Sequence, residues 1–309
     1  MTTISKTTTT LGPTTNRDVR RLTARIGAEV TGVDVTRPLD AETIAFLTQA
    51  LHEHKALVFR GAPLDDAGQE RLAASFGALT TAHPTVPSVD GAPRVLPVDS
   101  EGGVANHWHT DVTFVPAPPA VSTLASKVVP PYGGETLIAN TGSAYRDLPV
   151  PLRTLADTLW AVHTNDYDYA QPPEDWDDAT RQRRKVFTST RYETVHPVVR
   201  VHPRTGERGL FIGGFAQRIV GLSHSESRDV LRLLQSYVTR PENVVQVRWE
   251  PDQLVVFDNR ITQHYACDNY DRLPRRLHRV TVAGDVPVGL DGERSRALTG
   301  DASHYTSGV

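Results

Sequence analysis

Two short segments far apart in the chain constrain its fold more than any other feature. They are Asn106-His107-Trp108-His109-Thr110-Asp111-Val112-Thr113-Phe114 and Leu254-Val255-Val256-Phe257-Asp258-Asn259-Arg260-Ile261-Thr262-Gln263-His264. The first reads as a strand, with Trp108, Phe114 and a Val-Thr pair, ended abruptly by Pro116, Pro118 and Pro119. Residues two apart on a strand project from one face, so His109 and Asp111 can grip one metal ion from one side. The second reads as an apolar strand followed by a polar turn that aims His264 into a cleft. His264 then completes a two-His-one-carboxylate facial triad, which leaves coordination positions open to a cosubstrate and O2, as in non-heme Fe(II) oxygenases. The two segments must converge for this, which predicts one catalytic domain rather than two.

A lone His-X-Asp says little in a chain with 12 histidines. The other histidines lack comparable surroundings. His52 and His54 fall in a predicted helix, His304 is in the C-terminal tail, and His196 and His202 precede prolines, so these read as structural or solvated. His107 competes with His109 as a ligand, but it is four residues from Asp111 and less compactly placed.

With 309 residues and 39% hydrophobic content the chain can bury a substantial core. Its formal net charge of -3 provides no global basic field for nucleic acid or an anionic membrane. An anionic ligand must therefore be caught by local arginines. The one cysteine, Cys267, excludes an intrachain disulfide framework and a cysteine zinc cluster. Residues 1 to about 19 are polar, Thr-rich and without an apolar signal-peptide region, and read as a disordered leader. No apolar stretch approaches the roughly 20 residues needed to span a bilayer. The expectation is a cytoplasmic protein with no membrane or nucleic-acid partner.

Helices are expected over residues 43–54, 66–76, 151–160 and 224–238. Strands are expected over 26–35, 56–60, 108–114, 120–128, 136–138, 197–202, 209–213, 244–249, 254–257 and 277–283. This strand-heavy pattern predicts a mainly β fold with flanking helices, a β-sandwich in outline. Residues 165–190 differ in character, with Asp166-Tyr167-Asp168-Tyr169, Gln171-Pro172-Pro173 and then charged clusters. They read either as a solvated insertion or as a lid over an active site. The domain is expected to occupy residues 20–288, followed by a C-terminal tail over 289–309.

Several motifs stand in one order: Trp108-His109-Thr110-Asp111-Val112-Thr113-Phe114, Gly133-Gly134-Glu135-Thr136, His196-Pro197-Val198-Val199, Phe257-Asp258-Asn259-Arg260, Gln263-His264 and Arg275-Arg276-Leu277-His278-Arg279. In these the chain resembles the taurine/2-oxoglutarate dioxygenase family of Fe(II)-dependent oxygenases, from about Leu22 to Pro287. The resemblance implies a double-stranded β-helix, or jelly roll. It also implies Fe(II) on His109, Asp111 and His264, with O2 and 2-oxoglutarate as cosubstrates, the latter decarboxylated to succinate and CO2. The family forms homo-oligomers, so a dimer or tetramer is implied.

By the same resemblance Arg275 and Thr136 occupy the 2-oxoglutarate positions. The planar guanidinium of Arg275 matches the remote carboxylate of that cosubstrate. Arg275 and Arg279 are four apart and share a face on a strand, which places two cations over one cavity. Arg272 and Arg276 read as solvated. The family sets a substrate sulfonate or sulfate beside the arginine matching Arg279, a histidine matching His83 and the backbone amide matching Val112. Val112, Phe114 and Phe215 are candidates for the apolar wall of the pocket, and equally for core. Phe257 stands where taurine enzymes commonly have tryptophan, which weakens inference about the substrate more than about the chemistry.

In His163-Thr164-Asn165-Asp166-Tyr167-Asp168-Tyr169 and Arg200-Val201-His202-Pro203-Arg204-Thr205-Gly206-Glu207-Arg208 the chain looks nearer to the alkylsulfate-cleaving branch of the family than to taurine enzymes. The expected substrate is thus a small anionic organic molecule, an alkyl sulfate ester or a sulfonate. Two other readings stand beside it. One is an oxygenase of the same family tailoring an amino-acid-like, carboxylate or phosphonate substrate. The other is a noncatalytic jelly-roll binding protein, against which the intact triad and Arg275 argue.

Overall fold

The computed structural model describes residues 17–99, 105–166, 178–271 and 273–306. Strands β1 (Asp18–Arg21) and β2 (Ala28–Thr31) lead into helix α1 (Ala41–His54), strand β3 (Ala56–Phe59) and helix α2 (Asp66–Ala74). Strands β4 (Leu96–Asp99), β5 (Val121–Val128) and β6 (Thr136–Asn140) follow, then helices α3 (Thr141–Arg146) and α4 (Val150–Ala156). Next come β7 (Trp160–Thr164), α5 (Asp178–Phe187), β8 (Glu193–Pro197), β9 (Val199–Val201), β10 (Arg208–Leu210), β11 (Ala216–Ile219) and α6 (His224–Val238). The chain closes with β12 (Val244–Val247), β13 (Leu254–Asp258), β14 (Thr262–Ala266), β15 (Arg276–Val282), β16 (Arg296–Thr299) and α7 (Ser303–Thr306).

The helices begin where local chemistry favours it. Asp40 caps α1 by accepting from the amide of Thr43, and Ser223 and Glu226 form a reciprocal capping box on α6. Such caps satisfy amides that the first helical turn leaves without partners.

The largest sheet runs β1-β2-β3-β13-β5-β15-β4 and is covered on both faces. Its central strand β13 shows why: Leu254 and Val256 pack with Leu47, Leu51 and Leu72 of the helical layer. Val255 and Phe257 pack oppositely with Ile138, Val245 and Val247 of the β12-β6-β14 sheet. Period-two alternation thus feeds two cores from one strand. The result is the double-stranded β-helix, with α1 and α2 on the outside of the large sheet and the site between the two sheets.

Three local expectations are corrected. The stretch 108–114 is not a strand: His109 makes an isolated bridge to His264, and a turn starts at Asp111. Val112 there has φ of 54°, a left-handed conformation costly for a β-branched residue. The polar turn expected around His264 is strand β14, paired with β6. The helix expected over 151–160 ends at Ala156, because Trp160 already starts β7.

Most of the expected leader, residues 1–16, lies outside the described residues, whereas Asp18 and Val19 pair with β2. Of the insertion over 165–190, residues 167–177 lie outside them, as does Arg272. Beyond Val288, β16 pairs with β8 and Tyr305 of α7 is fully buried. No helix among the described residues is long and apolar enough to cross a membrane.

Candidate active site

His109 and His264 are locked together by their backbones. The amide of His109 donates to the carbonyl of His264 at 3.0 Å and the reverse bond is 2.7 Å, so the two imidazoles lie 4.1 Å apart, centroid to centroid. Asp111 arrives by a different route. Asn259, in the β13–β14 turn, accepts from the amide of Asp111 at 2.8 Å and donates to its carbonyl at 3.2 Å and to that of Pro119 at 2.9 Å. One amide side chain thereby replaces the strand partner that this turn lacks. Ser122 of β5 then donates to Asp111 Oδ2 at 2.6 Å.

Asp111 Oδ1 lies 3.9 Å from His109 Nε2 and 3.8 Å from His264 Nε2, and the three ligand atoms lie within 4.8 Å of one another. His109 Nδ1 donates to the carbonyl of His107 at 2.7 Å, which leaves the Nε2 lone pair for a metal. His264 Nδ1 is buried without a hydrogen bond. Two imidazoles and one carboxylate aimed at a common point fit Fe(II).

The protonation states are those a metal requires. Burial lowers the pKa of His109, and burial together with the neighbouring His109 pushes that of His264 down to about 3. Burial alone would raise the Asp111 carboxyl, but Arg279 and the two histidines outweigh it and hold it well below the usual carboxylate range. At neutral pH the site is thus already two neutral imidazoles and one carboxylate. Metal binding therefore displaces few protons, and Fe(II) affinity should stay flat as pH falls from about 8 through roughly 6.5, the ordinary imidazole value. Anaerobic Fe(II) titrations across this range check it; a steep decline beginning above pH 6.5 would mean that the imidazoles titrate normally.

Arg275 stands just before β15 with its Nε donating to the carbonyl of Gly134 at 2.8 Å and its Nη2 to Thr136 Oγ1 at 3.4 Å. Gly134 has φ of 67°, and a Cβ there would come within 2.9 Å of Arg275 Cδ, so only glycine permits this approach. The indole of Trp249 donates to the same Thr136 oxygen at 3.0 Å. Thr136 is thus left to donate its own proton elsewhere. Arg275 and Thr136 are both buried, and Thr136 lies on β6, which pairs with the β14 strand that carries His264.

Arg279 faces the triad, with Nη1 paired to Asp111 Oδ1, while its Nε and Nη2 are buried without hydrogen-bond partners among the described residues. Half of its fork is engaged and half is available to a second anion. His83 Nδ1 accepts from the amides of Thr85 and Val86, both at 3.1 Å, which puts its proton on Nε2. Val112, Phe114 and Phe215 lie in one buried cluster with Val115, Phe187, Tyr192 and Tyr305. His109 meets the Phe215 ring at 6.2 Å, and His83 meets Phe114 at 5.9 Å and Phe187 at 5.4 Å, so this cluster borders both the triad and His83. Sequence reasoning missed Ser122, Asn259, Trp249, Phe187 and Tyr305. Only Asn259, directly after a buried strand, carried a local signal.

A second group, His52, His202 and Asp258, has similar ligand types but is already satisfied. His202 accepts from the amides of Arg204 and Thr205 on Nδ1 and shares Nε2 with Asp258, while Arg260 grips both carboxylate oxygens of Asp258 at 2.8 and 2.7 Å. This agrees with reading His202 as structural.

The family described as "Taurine catabolism dioxygenase TauD, TfdA family" matches residues 18–281. An "alpha-ketoglutarate-dependent sulfate ester dioxygenase" of Pseudomonas putida is 54% identical over 282 residues, covering 90% of this chain and 93% of that protein. An "alkylsulfatase" of Acinetobacter baylyi is 46% identical over 287 residues, covering 92% and 90%. A solved taurine dioxygenase structure from Burkholderia xenovorans superimposes with a TM-score of 0.79 at 37% identity, covering 96% of this chain and 99% of that one. Jelly roll, triad, buried arginine pair and these matches agree: the chain belongs to the TauD, TfdA family of Fe(II)- and 2-oxoglutarate-dependent dioxygenases.

Proposed function

We propose that this dioxygenase hydroxylates alkyl sulfate esters at the carbon bearing the sulfate. His109, Asp111 and His264 hold Fe(II), and Arg275 with Thr136 takes the remote carboxylate of 2-oxoglutarate. Bound iron with 2-oxoglutarate and O2 supplies the oxidising power that converts a C–H bond to C–OH, with succinate and CO2 formed alongside. The hydroxylated carbon then carries both a hydroxyl and a sulfate. It collapses to an aldehyde and inorganic sulfate, with no hydrolytic nucleophile required.

The observation that carries the substrate reading is Arg279, buried and with two guanidinium nitrogens unpartnered, set beside an apolar wall. A buried charge with unmet hydrogen bonds favours an anion. Val112, Phe114 and Phe215 suit an alkyl tail better than the ammonium group of taurine. The names of the Pseudomonas and Acinetobacter relatives support the same substrate class. His83 completes the anion end by donating from Nε2.

Arg279→Ala tests this. Removing one partner of a desolvated charge pair costs roughly 2–5 kcal/mol, or about 30-fold or more in affinity. Sulfate release from an alkyl sulfate should fall by that factor, while slow uncoupled decarboxylation of 2-oxoglutarate persists. Unchanged preference for alkyl sulfates in this variant would remove Arg279 from the substrate site.

A further inference from the structure

Residues 300–306 are built into the substrate side of the site. The strand pairing of β16 with β8 brings the chain to Gly300, whose φ is 84° and where a Cβ would meet the Arg191 carbonyl oxygen and the Tyr192 ring, each at 2.6 Å. Only glycine lets the backbone pass this close. Helix α7 then inserts Tyr305, which is fully buried among Val112, Phe114, Phe187, Tyr192 and Phe215.

Hydrogen bonds tie this segment to the neighbourhood of the two groups assigned to the substrate anion. The amide of Thr81 donates to the carbonyl of Tyr305 at 3.0 Å, and His304 Nε2 lies 3.0 Å from the carbonyl of Pro84, so His83 is bracketed on both sides. The Tyr305 hydroxyl lies 3.2 Å from Thr281 Oγ1, which in turn lies 2.6 Å from Thr80 Oγ1. Thr281 follows Arg279 by two residues on β15 and shares its face of the strand.

We propose that residues 300–306 form a C-terminal latch and that Tyr305 is a positioning residue for the substrate anion, acting through Thr281 beside Arg279 and through Thr81 beside His83. The proposal rests on the substrate reading above for its ligand, but not for its effect on the His83 loop. A buried tyrosine brings a large apolar ring and a hydroxyl that needs a partner. Here the ring backs the aromatic wall, and the hydroxyl ties the tail to the strand carrying Arg279.

The test compares Tyr305→Phe, Tyr305→Ala and a chain ended after Gly300 with the wild-type holoenzyme. Hexyl sulfate is titrated calorimetrically under anaerobic conditions into enzyme loaded with Fe(II) and 2-oxoglutarate, and amide exchange is followed over residues 81–86. Losing one buried hydrogen bond corresponds to roughly a 2- to 10-fold change, so Tyr305→Phe should weaken ester binding within that range. Tyr305→Ala and the shortened chain, which also lose the packing, should weaken it by more than about 10-fold and speed exchange over 81–86. The KM for 2-oxoglutarate should move less than about twofold, because Arg275 is held by the Gly134 carbonyl and Thr136, and Thr136 in turn by Trp249. Wild-type ester affinity and exchange in Tyr305→Ala would overturn the latch. So would equal weakening toward ester and 2-oxoglutarate, which marks general destabilisation. If wild-type enzyme binds no hexyl sulfate, the substrate reading fails, and exchange over 81–86 alone then decides whether the latch exists.

Discussion

His264→Ala is expected to abolish Fe(II) binding and coupled turnover while leaving the protein folded. The imidazole sits on strand β14, whose pairing with β6 is made by the backbone, and its Nδ1 makes no hydrogen bond among the described residues. Asp111→Ala should lose activity equally but also lose stability. Arg279 Nη1 and Ser122 Oγ both bond to the Asp111 carboxylate, so its removal strands a buried cation, a change of roughly 3–5 kcal/mol. Thermal unfolding of the two variants without metal should therefore diverge sharply, with Asp111→Ala the less stable. Residual coupled activity in His264→Ala would sink the triad. Equal stability of the two variants would contradict the Arg279–Asp111 pairing.

Arg275→Ala carries the second large effect. Its guanidinium is buried, supported by Gly134 and Thr136, and placed to meet a carboxylate with its charge. Deleting it leaves the remote carboxylate of 2-oxoglutarate without its counter-charge, at roughly 2–5 kcal/mol, or about 30- to several-thousand-fold in affinity. The KM for 2-oxoglutarate should rise by that factor, and that for the alkyl sulfate far less. Steady-state kinetics with each substrate varied in turn measures the split. Parallel rises in both would indicate collapse of the whole site.

Much of the site was legible because its chemistry is written in residue types. Two histidines and an aspartate, followed by two arginines four apart, mark metal and anion sites whatever the local backbone does. Helices α1 and α6 were legible for a different reason, since caps and apolar spacing act within a few residues.

The geometry that brings Asp111 to the metal was not legible. The i, i+2 argument assumed a continuous strand, whereas the chain turns at Asp111 and Val112 adopts φ of 54°. That turn is imposed by Asn259, almost half the chain away, and no local pattern in 108–114 announces it. Strand β14 was misread as a turn because Thr262 and Gln263 are polar, yet both are buried by contacts made elsewhere in the fold. Tyr305 was hidden likewise. A polar C-terminal stretch looks like a tail, and only packing against Phe114, Phe187 and Phe215 makes its one large aromatic a structural element.

The most direct test of the central claim is product stoichiometry with the wild-type enzyme. Fe(II)-loaded protein is given hexyl sulfate, 2-oxoglutarate and O2, and sulfate, hexanal and succinate are measured together over time. The account predicts that all three appear in equal amounts above the slow uncoupled succinate formed without hexyl sulfate, and that sulfate release stops when either 2-oxoglutarate or O2 is withheld. Sulfate release that continues without 2-oxoglutarate, or succinate that rises on adding hexyl sulfate with no matching aldehyde and sulfate, would contradict it.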